Sequence, residues 1–196
     1  MNSIYSYRYC AGALPYTYFN NNIYFLLGKS KKNNRLTTFS GKSEEFDIDE
    51  YDTAARECYE ETLGCLMDRE SLLYRIKKCD HSHIITSTTP RGKPCLTYVV
   101  EVPFRKYYSI SFHKTKDFLQ SQNIRSYALQ EMSDIKWICA NSMFTKIRRQ
   151  WEKNGILRDD FEWCKLLKIA NFDYTELKTW RKPEDDTILS DIEDEK

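Results

Sequence analysis

Three glutamates, Glu57, Glu60 and Glu61, crowd the short run Arg56-Glu57-Cys58-Tyr59-Glu60-Glu61. At spacings i, i+3 and i+4 on a helix, their carboxylates leave one face within a single turn. Each like-charge pair then costs about a few tenths of a kcal/mol, and only Arg56, four residues before Glu60, offers a cation in register. A hard divalent cation resolves the repulsion: Mg²⁺ or Mn²⁺ takes carboxylate oxygens and keeps waters that a substrate phosphate can displace. The competing reading is a solvated acidic face. Context weighs against it, because Ala54, Ala55, Cys58 and Leu63 give the same helix an apolar side that can pack on a sheet, and an acid-rich loop opening at Gly41 precedes it.

The elements that must position these acids can be read around them. Asp52 is an expected N-cap for a helix over Thr53–Leu63, and Gly64 an expected stop. Before it, residues 7–15 and 23–28 read as strands joined through Asn20-Asn21-Asn22, residue types that accept the left-handed backbone of a reversal. A basic loop (Lys29, Lys31, Lys32, Arg35) leads to a short strand over Leu36–Phe39. After the helix, strands are expected at 83–87 and 96–102, linked by the turn-forming Pro90-Arg91-Gly92-Lys93-Pro94, and again at 134–138. Phe144, Ile147 and Trp151, then Trp163, Leu167 and Ala170, recur at helical spacing. The pattern is α+β in one domain over 1–182, with a core at about 7–140, a helical extension at 141–182 and an acidic, disordered tail at 183–196.

Composition agrees with one domain of 196 residues that builds a real core: 14 Tyr, 10 Phe and 4 Trp are too many for a chain disordered over most of its length. No run approaches the roughly 18–20 apolar residues of a membrane span, and Met1–Tyr9 lacks the pattern of a secretory signal. Seven scattered cysteines without a Cys-x-x-Cys pair point to a reducing, cytoplasmic setting rather than a disulfide framework. The net charge of +1 conceals a division, since residues 183–196 carry seven acids against Lys196 and leave the body basic. A basic body suits anionic ligands or a solubilising surface. Cys79, His81 and His83 would share one strand face as zinc ligands do, but no fourth ligand follows at a recognisable spacing. Neither a Gly-x-Ser-x-Gly nor a phosphate-cradling Gly-x-x-x-x-Gly-Lys run is present.

The run from Gly41 to Gly64 resembles the sequence box of the Nudix hydrolase superfamily: a glycine loop, a glutamate, then Arg-Glu-apolar-x-Glu-Glu and a closing glycine. Arg56-Glu57-Cys58-Tyr59-Glu60-Glu61 matches that core position by position, and Asp52-Thr53-Ala54-Ala55 is in its style. Ala11-Gly12-Ala13-Leu14 looks like the first core strand, Tyr24-Phe25-Leu26-Leu27-Gly28 like its hairpin partner, and Trp137-Ile138 like the last strand, so the resemblance covers about 7–140. Three departures stand out: Ser40-Gly41 in place of Gly-Gly, a loop to Arg56 one residue longer, and an extra residue in Thr62-Leu63-Gly64. The longer loop leaves the upstream acid open between Asp47, nearest by distance from Gly41, and Glu44 or Glu45.

The resemblance implies an α/β/α sandwich around a mixed sheet, and a Mg²⁺ or Mn²⁺ dependent pyrophosphohydrolase acting on a nucleoside diphosphate linked to another moiety. Glu57, Glu60 and Glu61 would hold the ions, and Arg56 would orient Glu60 or a nearby backbone group. The general base would be a box glutamate, Glu60 or Glu61, or a carboxylate on a later loop, for which Glu131, six residues before Trp137, is the candidate beside the reading of a plain surface acid. The basic and aromatic residues of 144–182 read first as helix packing, with an RNA cap as an alternative ligand. A non-catalytic nucleotide-binding module and a homodimer are the remaining expectations.

Overall fold

Two strands, β1 (Cys10–Phe19) and β2 (Asn22–Ser30), form a hairpin whose turn places Asn20 and Asn21 at φ 47° and 60°. Both values lie in the left-handed region that a tight two-residue reversal demands and that asparagine tolerates. The computed structural model describes residues 9–143 apart from 33, 35, 80–82, 90–91 and 125–130. The helical extension past Met143 and the tail expected from sequence lie outside the described residues.

β1 and β2 pair only near the turn, Tyr16–Phe19 against Asn22–Phe25, and then part. Into the opening comes the chain of β3 (Leu36–Thr37), which pairs with β2, and β4 (Phe39–Lys42), which pairs with Cys10–Ala13 of β1. A single strand expected over Leu36–Phe39 is thus two short ones that part at Thr38 because they serve different partners. Gly12 makes this possible: a Cβ there would stand 2.2 Å from the carbonyl oxygen of Phe39 and 2.2 Å from Cβ of Ser40. Backbone blocks that space, so Gly12→Ala is expected to cost about 2–3 kcal/mol, read as a lower urea midpoint, and an unchanged midpoint would refute the close approach.

The remaining strands complete a mixed, open, seven-stranded sheet. β6 (Pro94–Glu101) runs parallel to β1, β5 (Ile84–Thr88) lies antiparallel outside it, and β7 (Met132–Cys139) pairs with the far side of β2. Alternate residues feed two cores, as the two-residue period of a strand requires. Ala11, Ala13, Leu26, Tyr98 and Val100 join one cluster, and Leu14, Tyr16, Phe25, Leu27 and Val99 the other. Burial on both faces explains the unbroken apolar run at 23–27.

Three helices pack on the first cluster: α1 (Glu50–Glu61), α2 (Arg69–Lys77) and α3 (Tyr108–Ser121), through Ala54, Ala55 and Cys58, through Leu72 and Ile76, and through Tyr108 and Phe112. The opposite cluster gains Ala140 and Met143 from the turn after β7.

α1 begins a turn earlier than Asp52 suggests. Asp49 caps it, its side chain accepting the N–H of Asp52 at 2.8 Å, while the Asp52 carboxylate holds Arg69 of α2 at 2.7 Å. The helix ends with Gly64 N–H donating to Tyr59 O at 2.8 Å and Leu63 N–H to Glu60 O at 3.0 Å. These are the two bonds of a left-handed helix end, and Leu63 at φ 54°, ahead of Gly64, takes the first left-handed position.

Candidate metal centre

The apolar stripe of α1 fixes how its acids point. With Ala54, Ala55 and Cys58 fully buried beneath the helix, Glu57 and Glu61, one turn apart, flank that stripe on the side of β4. Both are nearly closed off, Glu57 at 9% and Glu61 at 3% exposure. The N–H of Ser40 donates to Glu61 Oε2 at 2.7 Å. Beside it, Gly41 has no side chain because the Glu57 carboxylate occupies the place: a Cβ would meet Oε1 at 2.2 Å and Cδ at 2.3 Å. Glycine within a strand marks such an approach, and that is the signal by which Gly41 could have been singled out from sequence.

A third carboxylate arrives from seventy residues later. Glu131, half-buried directly before β7, brings an oxygen to within 4.8 Å of oxygens of both Glu57 and Glu61. Its main chain is anchored by the N–H of Lys31, which donates to Glu131 O at 2.7 Å at the end of β2. Of the residues singled out from sequence, the structure therefore brings Glu57, Glu61 and Glu131 together. Glu60 stands apart, its side chain 45% exposed and held at 3.2 Å by Arg56 Nη1.

Arg56 is buried at 3% exposure and ties the helix to the loop before it. Nε and Nη2 donate to the two oxygens of Asp47 at 2.9 and 3.0 Å, Nη2 also reaches Lys42 O at 2.9 Å, and Nη1 lies 2.9 Å from Glu57 Oε1. Among the three upstream acids left open by the longer loop, Asp47 makes this forked pair. Glu44 lies 3.9 Å from Arg56 with half its side chain exposed, and Glu45 is exposed. Asp47 further accepts the Thr53 hydroxyl at 2.9 Å and the N–H of Glu44 at 2.8 Å.

Charge follows from this wiring. Burial pushes the Asp47 carboxyl up, but the hydrogen bonds of Arg56, Glu44 and Thr53 outweigh it and hold the group below the ordinary range. Burial would weaken the Arg56 cation, yet Asp47, Glu57 and Glu60 hold it above its usual value. Glu57 goes the other way: burial pushes its carboxyl up, Arg56 pulls it down, and Glu60 and Glu131 add repulsion, leaving it at about 7. A buried acid held that high beside two more carboxylates is a site short of positive charge. Hard oxygen donors, crowded and under-neutralised, suit Mg²⁺ or Mn²⁺ rather than a soft metal.

Other sequence expectations fall elsewhere. Of the suggested zinc ligands, Cys79 donates its thiol to Val99 O at 2.8 Å and His83 is buried, while His81 lies outside the described residues, as do Arg35 and the basic aromatic stretch 144–182. Lys31 and Lys32 are exposed at the end of β2. No helix among the described residues is long and apolar enough to cross a membrane.

No family model matches the chain, and no curated protein matches it either. Several solved structures are similar to it. One is an Ap4A hydrolase of C. elegans in a binary complex, at 17% identity over 83% of this chain and 96% of that one, with a TM-score of 0.48. Another is the Nudix domain of Shewanella oneidensis NrtR complexed with ADP ribose, at 11% identity over 86% of each chain, with a TM-score of 0.47.

Proposed function

We propose that this chain is a divalent-metal-dependent Nudix hydrolase that cleaves a phosphoanhydride bond. One observation carries the reading: Glu57 and Glu61 of α1 and the distant Glu131 converge with their oxygens within 4.8 Å. The reading is supported by the way Arg56 forks onto Asp47 of the preceding loop and so ties that loop to the helix that carries Glu57 and Glu61.

Glu57 and Glu61 would hold the ion, fixed from behind by Gly41 and by the N–H of Ser40. A bound Mg²⁺ or Mn²⁺ supplies charge neutralisation of the phosphate oxygens and an acidified water. Arg56 keeps the Glu57 carboxylate in place by pinning α1 to the loop, and it is buried too deeply to serve as a substrate ligand. Glu131, the least buried of the three, adds the third charge and is the group we assign to take the proton of the attacking water. Water's oxygen then bonds to phosphorus as the bridging phosphorus–oxygen bond breaks. The substrate is a nucleoside diphosphate linked to a second group.

The Glu57 proton gives this reading a pH signature. Folding raises that carboxyl from 4.5 to about 7, so between these values the folded, metal-free protein binds more protons than the unfolded chain, and this contribution to stability is lost as pH rises through 7. An ion must displace the same proton. Mn²⁺ affinity is therefore expected to be about tenfold weaker at pH 6 than at pH 8, measured by titration calorimetry. Equal affinity at both values would remove Glu57 from the site.

Turnover of capped RNA, dinucleoside polyphosphates, ADP-ribose, nucleoside triphosphates and diphosphoinositol polyphosphates, with and without Mg²⁺ or Mn²⁺, tests the activity. At least one is expected to be cleaved only with metal. A protein that binds nucleotides and cleaves none of them under any metal condition is a binding module instead.

A further inference from the structure

The inward face of α3 presents Tyr108, Phe112 and Lys116 at successive turns, all buried. The first two complete the apolar core, whereas the third is a lysine at 8% exposure. Among the described residues no carboxylate lies within ion-pair distance of it, and its ammonium rests 5.3 Å from the ring centre of Phe112. Its hydrogen bond runs to the carbonyl oxygen of Met132. Burial works against the charged form of this lysine and Lys31 adds to that, with a smaller pull the other way from Asp117 and Asp134. Stability does not explain such a residue, because a methionine would fill the same space without the desolvation penalty.

The place where the ammonium is spent does explain it. Met132 follows Glu131, and the β2–β7 ladder is irregular there: Ser30 pairs with Met132 but Lys29 pairs with Asp134, leaving Ser133 as an extra residue. A bulge of this kind re-aims a neighbouring side chain and loosens the local ladder. Three consecutive residues are then tied separately. Lys31 N–H donates to Glu131 O at 2.7 Å, Lys116 to Met132 O, and the Ser133 hydroxyl to Lys29 O at 3.0 Å. Of the three donors, Lys116 alone comes from a helix.

We propose that Lys116 is a positioning residue for Glu131: by gripping the Met132 carbonyl from α3 it locks the bulged start of β7 so that the Glu131 carboxylate faces Glu57 and Glu61. This rests on the metal-centre reading above and adds a residue that touches neither ion nor substrate.

The test uses the full chain and its variants Lys116→Met, Lys116→Arg, Glu131→Gln and the Lys116→Met/Glu131→Gln pair. Mn²⁺ affinity is read by electron paramagnetic resonance, and protection of the Lys31 amide by hydrogen exchange. Lys116→Met is expected to melt no lower than wild type, to bind Mn²⁺ about tenfold more weakly, as loss of an outer support does, and to lose protection at Lys31. Lys116→Arg, which keeps a charged donor, retains most of the affinity. Because Lys116 acts through Glu131, the double variant binds no more weakly than Glu131→Gln alone. A folded Lys116→Met with wild-type affinity, or a double variant whose loss is the product of the two single losses, overturns the proposal. Should Lys116→Met fail to fold, Lys116→Arg matching Glu131→Gln in affinity overturns it equally. Absence of Mn²⁺ binding to the wild type defeats the metal reading instead, and the Lys31 amide then decides the positioning by itself.

Discussion

Glutamine at both Glu57 and Glu61 lowers metal-dependent turnover by about a thousandfold or more, while the metal-free protein melts at a higher temperature than wild type. The two effects share one cause. These carboxylates are 9% and 3% exposed and face Glu131, so in the absence of an ion they repel one another where water screens little. Removing two charges relieves the folded protein and deprives the ion of its ligands, and a contribution of several kcal/mol to the barrier converts to about three decades in rate. Glutamine keeps the size of the side chain, and its carbonyl oxygen can still accept the N–H of Ser40, so packing is not the variable. Glu60→Gln is the matched control. Its side chain is 45% exposed and bonded to Arg56, so its loss is expected to cost about 10- to 100-fold, the scale of an outer support. Steady-state kinetics beside thermal melts read both effects. If Glu60→Gln equals or exceeds the double variant, the ion sits on the outer side of α1 and not between α1 and β7.

Gly41→Ala produces a large functional loss at almost no cost in stability. The new methyl meets the Glu57 carboxylate, at 2.2 Å from Oε1, 2.3 Å from Cδ and 2.3 Å from Oε2, and these atoms are the far end of a flexible side chain. The carboxylate can swing aside, so unfolding free energy changes by less than about 1 kcal/mol. A ligand displaced by an ångström or more loses its alignment, and turnover drops by about 100-fold with weaker Mn²⁺ binding. Gly12→Ala, one strand away, is expected to do the reverse, because the atoms it meets are the Phe39 carbonyl oxygen and Cα and Cβ of Ser40, none of which can swing aside. An inactive but equally stable Gly41→Ala beside a destabilised Gly12→Ala would separate a glycine that serves the site from one that serves the sheet. Retained activity in Gly41→Ala would mean that Glu57 has freedom to move without consequence.

How far residues alone carry towards this arrangement differs from element to element. The charged turn of α1 was legible because three acids at i, i+3 and i+4 have no structural purpose on a helix that also buries Ala54, Ala55 and Cys58. Its start is ambiguous in sequence because Asp49 and Asp52 are both capping residues three apart, and only the fold shows Asp52 engaged with Arg69. The sequence carries no clean helical period over 69–77 or 108–121. Tyr74, Ile110 and Phe118 are exposed apolar residues on those helices, and Lys116 holds a buried position, so the apolar period is broken from both sides. The N-cap Asp68, with Leu72 and Ile76 four apart, was the readable sign of α2. Proximity of Glu131 to Glu57 is a long-range contact made by strand order, so the residues of α1 give no sign of it, and Glu131 enters the sequence reading only through its place six residues before Trp137. Local spacing groups Glu60 with Glu57 and Glu61, but it also puts Arg56 four residues before Glu60, and that pair is the one Glu60 makes.

The position of the ion can be seen directly. Crystals of the full chain grown with Mn²⁺, with diffraction collected near the manganese absorption edge, locate it by its anomalous scattering. The expected result is a peak bounded by the Glu57, Glu61 and Glu131 carboxylates that vanishes in the Glu57→Gln/Glu61→Gln protein. A peak elsewhere on the chain, or none in a protein that nonetheless hydrolyses a phosphoanhydride, would contradict it.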